Sequence, residues 1–227
     1  MTVPSLAGVV GLVHGFERRC QPPRLESRDE TRARVTAALA EHGRLLLLEQ
    51  VHGAAVAEAP WQGTPEADAA VSANDGELIG IETADCLPVL LVDPQRRAVA
   101  AAHAGWRGTA AGVAARAVAA LVSLGSQPTD LLAALGPSIG PCCYEVGDEL
   151  RPAFGDDAPH VFSQGANGRP HLDVRAANVR QLERAGLRRG AILHVAECTR
   201  CRPELYHSYR RDGPGAGRMI SWVGFSR

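Results

Sequence analysis

The chain contains no lysine: all 24 of its basic residues are arginine. That absence excludes Schiff-base chemistry, and with it pyridoxal-phosphate enzymes that need a lysine. It also excludes a Walker P-loop, whose lysine reaches the phosphates. Charge of one sign is lacking too. With 25 acidic residues and a formal net charge of −1, the chain is not built to coat nucleic acid or an anionic membrane. No segment approaches the roughly 20 continuous apolar residues of a membrane span. The start has no basic leading stretch, is broken by Pro4 and glycines, and reads as a first strand rather than a signal peptide. Internal repeats, charge blocks and interdomain linkers are absent, so residues 1–227 are expected to form one domain.

What is present is globular material, 45% hydrophobic. The six cysteines are Cys20, Cys86, Cys142, Cys143, Cys198 and Cys201. In a chain of this length without an export signal they do not make a disulfide scaffold, and reduced thiols in a cytoplasm are expected. Helices are expected over 28–42, 109–124 and 174–185, each ending at a glycine suited to a C-terminal cap. Strands are expected over 9–16, 45–51, 69–72, 78–82, 87–92, 98–103, 131–135, 191–195 and 219–225. Several are unbroken apolar runs, as strands covered on both faces require. The fold class is therefore α/β or α+β, with a mixed central sheet flanked by helices. The least structured stretches are expected at 19–28, 60–66 and 155–170, where proline, glycine and polar residues cluster.

Reactive residues gather where apolar strands end. One strand runs into His52-Gly53, another into Thr83-Ala84-Asp85-Cys86, and a third into His103-Ala104-Gly105-Trp106-Arg107-Gly108. A strand-end histidine is commonly a structural hydrogen-bonder and a buried cysteine a small hydrophobe, so spacing alone leaves both that reading and a shared His/Cys/His site open. Gly105, Gly108 and Thr109 mark a helix N-terminus beside Arg107, which fits either an anion site or an ordinary strand-to-helix turn. Arg210 and Arg211 fit bidentate recognition of an anionic substrate or surface ion pairing. Cys198-Thr199-Arg200-Cys201 is a C-x2-C, but Cys142-Cys143 lacks the spacing of a matching second half, so a structural zinc is not expected there.

Taken together, Gln50-Val51-His52-Gly53, Ala67-Asp68-Ala69, Thr83 to Val89, His103 to Gly108, Gly136 to Gly140, Cys143 to Gly147 and Ser208 to Asp212 resemble the YfiH-like, laccase-domain-containing family, whose members carry the names polyphenol oxidase and purine nucleoside phosphorylase. The segment after Gly15-Phe16 departs from that family's pattern. The resemblance implies a single-domain α/β sandwich and one zinc site made by His52, Cys86 and His103. It implies phosphorolysis of adenosine, inosine, guanosine and methylthioadenosine, together with adenosine deamination. Arg211 then takes the role of a substrate or phosphate ligand, with Gln50, Arg107, Arg210 and Tyr144 on the substrate side. Asp85, beside Cys86, is expected in the pocket as a carboxylate partner of a metal-bound histidine or as an acid/base group; local capping of its turn is the alternative.

Three N/S ligands with an open fourth position make the pattern of a catalytic zinc. A laccase needs several coppers and many histidines, whereas this chain has eight His, no His-x-His and only Met1 and Met219 as thioethers. Copper is expected only as a substitute ion, because Cu2+ outcompetes Zn2+ for such ligands. Two other functions compete: a metal-free Cys86–His103 amide hydrolase editing peptidoglycan precursors, and a copper-dependent polyphenol oxidase. The expected partners are a nucleoside and phosphate, not nucleic acid or membrane, in a monomer or homodimer.

Overall fold

The computed structural model describes residues 1–2, 6–19 and 26–227. Cys20 and most of the 19–28 stretch lie outside the described residues. The chain runs β1 (Leu12–Phe16), α1 (Arg28–Leu39), β2 (Arg44–Leu46), β3 (Val56–Glu58), β4 (Ala69–Ser72), β5 (Glu77–Thr83), β6 (Leu87–Asp93), β7 (Ala98–Ala104), α2 (Trp106–Ala110) and α3 (Val113–Ser123). It continues through β8 (Leu132–Leu135), α4 (Ala158–Val161), β9 (Phe162–Gln164), β10 (Pro170–Leu172), α5 (Val174–Arg184), β11 (Ile192–His194), α6 (Tyr209–Asp212) and β12 (Met219–Phe225).

The described strands form two mixed sheets rather than the single central sheet that the apolar runs imply, plus the small β9–β10 hairpin. One sheet is ordered β1-β12-β5-β2 and the other β11-β8-β6-β7-β4-β3. Period-2 alternation explains the layering. Leu90 and Val92 of β6, and Val99 and Ala101 of β7, meet Ile79, Ile81, Val223 and Phe225 of the smaller sheet in a shared core. Leu87, Val89 and Leu91 face the other way, onto α3 and α5. Leu78 and Ile220 of the smaller sheet pack outward against Val35 and Leu39 of α1. Four layers result, helix, sheet, sheet, helix, and every residue of β6 and β7 is buried. Each large aliphatic so buried contributes about 1.5–3 kcal/mol. The alanines of β7 on the helix side match the alanine-rich face of α3.

Helix α1 starts where a capping box forms: Ser27 accepts from the Glu30 N–H, and the Glu30 side chain accepts from the Ser27 N–H. The single helix expected over 109–124 is two. Gly112, with φ 80°, breaks the chain between α2 and α3. The strand expected over 45–51 stops at Leu46. Beyond it, the Gln50 side-chain amide exchanges two hydrogen bonds of 2.8 Å with the Glu82 backbone, so an amide side chain does the pairing that a strand backbone would. The 155–170 stretch is ordered by α4, β9 and part of β10.

Strand register brings the site together. Leu87 pairs with Ala104 and Pro88 with His103, so Cys86 stands beside the end of β7. Ala69 pairs with Ala102, which sets Asp68 beside His103. Met219 pairs with Thr83, which draws the 213–218 loop to the same end.

Candidate metal centre and cavity

His52, Cys86 and His103 converge, each offering one ligand atom, with all three atoms within 4.8 Å of one another. Asp68 organises two of them. Its fully buried carboxylate accepts from the N–H groups of Val51 (3.2 Å), His52 (2.9 Å) and Gly53 (2.6 Å). That grip holds His52 at φ 62°, in the left-handed region. The same carboxylate lies 2.8 Å from His103 Nδ1. With the proton on Nδ1, His103 presents Nε2 as the free donor.

Electrostatics follow from this packing. Burial works against the Asp68 carboxylate, but the His103 ring and the N–H groups of Gly53 and His52 outweigh it and hold its pKa below the usual value. Burial also opposes ionisation of Cys86, yet His103 and His52 bring its thiol down to about 6. His103 moves the other way, to about 9: burial disfavours its cation, and Cys86 and Asp68 more than compensate. A thiolate, an Nε2 donor and a second imidazole suit a thiophilic divalent ion. The backbone agrees. A Cβ at Gly105 would lie 3.1 Å from both Cys86 Sγ and His52 Cδ2, so a side chain there would crowd two of the three donors.

The cluster lines a cavity of about 950 Å³ that also takes in Gln50, Asp85, Arg107, Tyr144 and Arg210. Arg107 lies over the Trp106 ring at 4.4 Å. The Arg210 guanidinium lies 5.2 Å from the Tyr144 ring centroid and donates to Glu145 O at 2.7 Å. Arg28 and Arg218 are further cations on the wall. Sequence reasoning had not singled them out, since an arginine far along the chain carries no local signal.

Arg211 is placed differently from expectation, and Asp85 lies in the cavity as expected but is not the partner of the histidine. Arg211 does not line the cavity. Its guanidinium is spent on the carbonyls of Thr199 (3.1 Å) and Tyr206 (2.9 Å) and on both Asp212 oxygens, which leaves no fork for a phosphate. Asp85 does reach the cavity, but the carboxylate on the histidine is Asp68. Asp85 accepts from Thr199 Oγ1 (2.5 Å), Ser208 Oγ (3.0 Å) and the Arg210 N–H (2.7 Å), tying the 199–210 loops to the turn that holds Cys86. Asp68 stood in a matching segment without a role. The β4–β7 register is the signal that would have found it.

A second cluster corrects the reading of the C-x2-C segment. Cys142, Cys143, Cys198 and Cys201 bring four sulfur atoms within 4.8 Å of one another. Adjacent cysteines on one loop supply the half that sequence spacing did not show.

Residues 24–226 match the family model described as multi-copper polyphenol oxidoreductase laccase, and the chain belongs to that family. A purine nucleoside phosphorylase of Deinococcus radiodurans is 41% identical over 200 residues, 87% of this chain and 77% of the relative. An adenosine deaminase from an unknown prokaryotic organism is 40% identical over 162 residues, 69% of this chain and 61% of the relative. The crystal structure of YlmD from Geobacillus stearothermophilus superposes with a TM-score of 0.86 at 29% identity, covering 96% of this chain and 93% of that one. Among the described residues, no helix is long and apolar enough to cross a membrane.

Proposed function

We propose that the chain is a cytoplasmic, zinc-dependent purine nucleoside enzyme. It phosphorolyses adenosine, inosine, guanosine and methylthioadenosine, and deaminates adenosine, within one catalytic domain over 1–227. The observation that carries this reading is the His52–Cys86–His103 donor set on the wall of a cavity that also holds Arg107 and Arg210. The names of its relatives supply the substrate class.

Zinc on these donors supplies Lewis acidity toward an oxygen nucleophile. The chain's own residues do the rest. Asp68 locks the His103 tautomer and the His52 backbone, and its negative charge would favour a cation held by His52, Cys86 and His103. Arg107, its guanidinium free of carboxylate and carbonyl partners among the described residues, holds the phosphate dianion. Arg210, hung on Asp85 through its N–H, faces the same space with Tyr144. In phosphorolysis an oxygen of hydrogen phosphate bonds to C1′, the C1′–N9 pair leaves with the base, and the base takes up the proton that the phosphate loses, giving free purine and a sugar 1-phosphate. In deamination water adds at C6 and ammonia departs. Gln50 braces the wall through Glu82.

A second reading, metal-free amide hydrolysis by a Cys86–His103 pair, is favoured by the lowered Cys86 thiol. Polyphenol oxidation by several coppers is disfavoured, because among the described residues the other donor cluster is entirely cysteine. A nucleoside panel run with and without phosphate, on zinc-loaded and chelator-stripped enzyme, tests the proposal. Sugar 1-phosphate formed only with both zinc and phosphate is expected. Undiminished hydrolysis of a peptidoglycan-precursor amide by the stripped enzyme, abolished by Cys86 alkylation, would select the hydrolase.

A further inference from the structure

We infer that Cys142, Cys143, Cys198 and Cys201 form a second metal site, a structural zinc tetrathiolate that braces the cavity wall. The site lies outside the nucleoside cavity and does not depend on the function proposed for it.

The sulfur geometry favours an ion. Zn–S bonds of about 2.3 Å in a tetrahedron put sulfur atoms roughly 3.8 Å apart. Cys142 and Cys143 Sγ lie 3.7 and 3.3 Å from Cys201 Sγ, and all four sulfurs fall within 4.8 Å. The cysteines are free thiols. Two separate loops deliver them, one after β8 and one after β11, and the backbone locks those loops in register. Thr199 N–H donates to Ser138 O at 3.1 Å, and Ser138 N–H to Glu197 O at 3.4 Å. The surroundings suit thiolates. Gly140 N–H donates to Cys198 Sγ at 3.3 Å and Arg200 Nη1 to Cys143 Sγ at 3.5 Å. Arg175 adds positive charge near Cys198 and Cys142. Two arginines offset the two negative charges that four thiolates leave on a divalent ion.

The consequence for the cavity runs through Thr199, which sits between Cys198 and Cys201 and donates to Asp85. Asp85 holds the Arg210 N–H and precedes Cys86. Closing the four thiolates on an ion therefore fixes Thr199, Asp85 and the backbone of Arg210 together. Cys142 and Cys201 are exposed, so the site can load after folding.

The test uses the full chain with a Cys86→Ala substitution, purified under reducing conditions with zinc supplied. Metal content by elemental analysis should remain near one zinc per chain, and X-ray absorption should show four sulfur neighbours at about 2.3 Å. Adding Cys198→Ser and Cys201→Ser should remove that zinc. If the triple variant fails to fold, titrating Cys86→Ala with a mercurial thiol reagent gives the same information, because zinc should be released in step with thiol consumption. A zinc-free Cys86→Ala protein, nitrogen or oxygen neighbours around its zinc, or an intact mass showing a disulfide among these cysteines under reduction would overturn the site. Failure of the nucleoside assay would leave this result untouched, and the reverse also holds.

Discussion

The His52–Cys86–His103 cluster and the four-cysteine cluster stand at two ends of one hydrogen-bonded path, through Asp85 and Thr199. The first is assembled by sheet register: β6, β7 and β4 pair so that Cys86, His103 and Asp68 must meet. The second is assembled by loops outside the sheets. The first mixes nitrogen and sulfur donors and opens into a cavity of about 950 Å³; the second is all sulfur and meets solvent. An open cavity and a three-donor mixed set suit a catalytic ion, and four thiolates that leave no open coordination position suit a structural one. The difference teaches that strands place reacting groups precisely, while loops need a staple.

The largest expected break in that comparison is His103→Ala. It should empty the first cluster and lower nucleoside turnover by on the order of a thousandfold, while zinc at the four cysteines persists; metal analysis beside a steady-state assay checks both. Asp68→Asn comes next. Losing the charge that orients His103 should cost roughly 10- to 100-fold in metal affinity or activity, read by competition with a chelator. Gly105→Ala should also weaken metal binding at the first cluster alone, with an overpacking cost of about 1–3 kcal/mol in denaturant melts.

The arginines sharpen the contrast between touching substrate and holding a loop. Arg107→Ala should raise the KM for phosphate by about tenfold, as loss of one charged contact would. Arg211→Ala should lower Tm without a selective effect on phosphate, because its guanidinium binds backbone carbonyls and Asp212. A selective rise in phosphate KM for Arg211→Ala, with Arg107→Ala unaffected, would reverse the assignment.

The smallest effect concerns Glu82 at the cavity edge. Burial disfavours its carboxylate, but Arg32 and Arg28 overcome that and lower its pKa. A depressed native pKa stabilises the fold above the ordinary carboxylate pKa, and that stability is lost as pH falls through the native value. Glu82→Gln should therefore flatten the acid limb of Tm against pH, starting where pH falls below the ordinary carboxylate pKa. An unchanged acid limb would show that the Arg28 and Arg32 pairs carry no net stability.

Much of the molecule was legible in residue order. The apolar runs of β5, β6, β7 and β12 were readable because strands buried on both faces leave no polar alternation to blur them. The ends of β5 and β7 are readable as chemistry because Cys86 closely follows the one and His103 stands at the end of the other, while His52 follows the apolar run 45–51, of which only the start is strand. Short β3, β9 and β10 escaped because three residues carry no periodic signal. The break at Gly112 escaped because one glycine in an alanine-rich run reads as a tolerated defect.

What the sequence determined by itself was local: which segments are apolar, which are helical, and which reactive residue types end them. Tertiary structure decided every partnership across long chain separations. It chose Asp68 over Asp85 for His103, since pairing of β4 with β7 is a register choice that no short window contains. It spent Arg211 on backbone carbonyls and left Arg107 facing the cavity. It joined Cys142 and Cys143 to a C-x2-C more than fifty residues away, because ligand geometry depends on distances in space, which spacing along the chain bounds only when the donors share one turn.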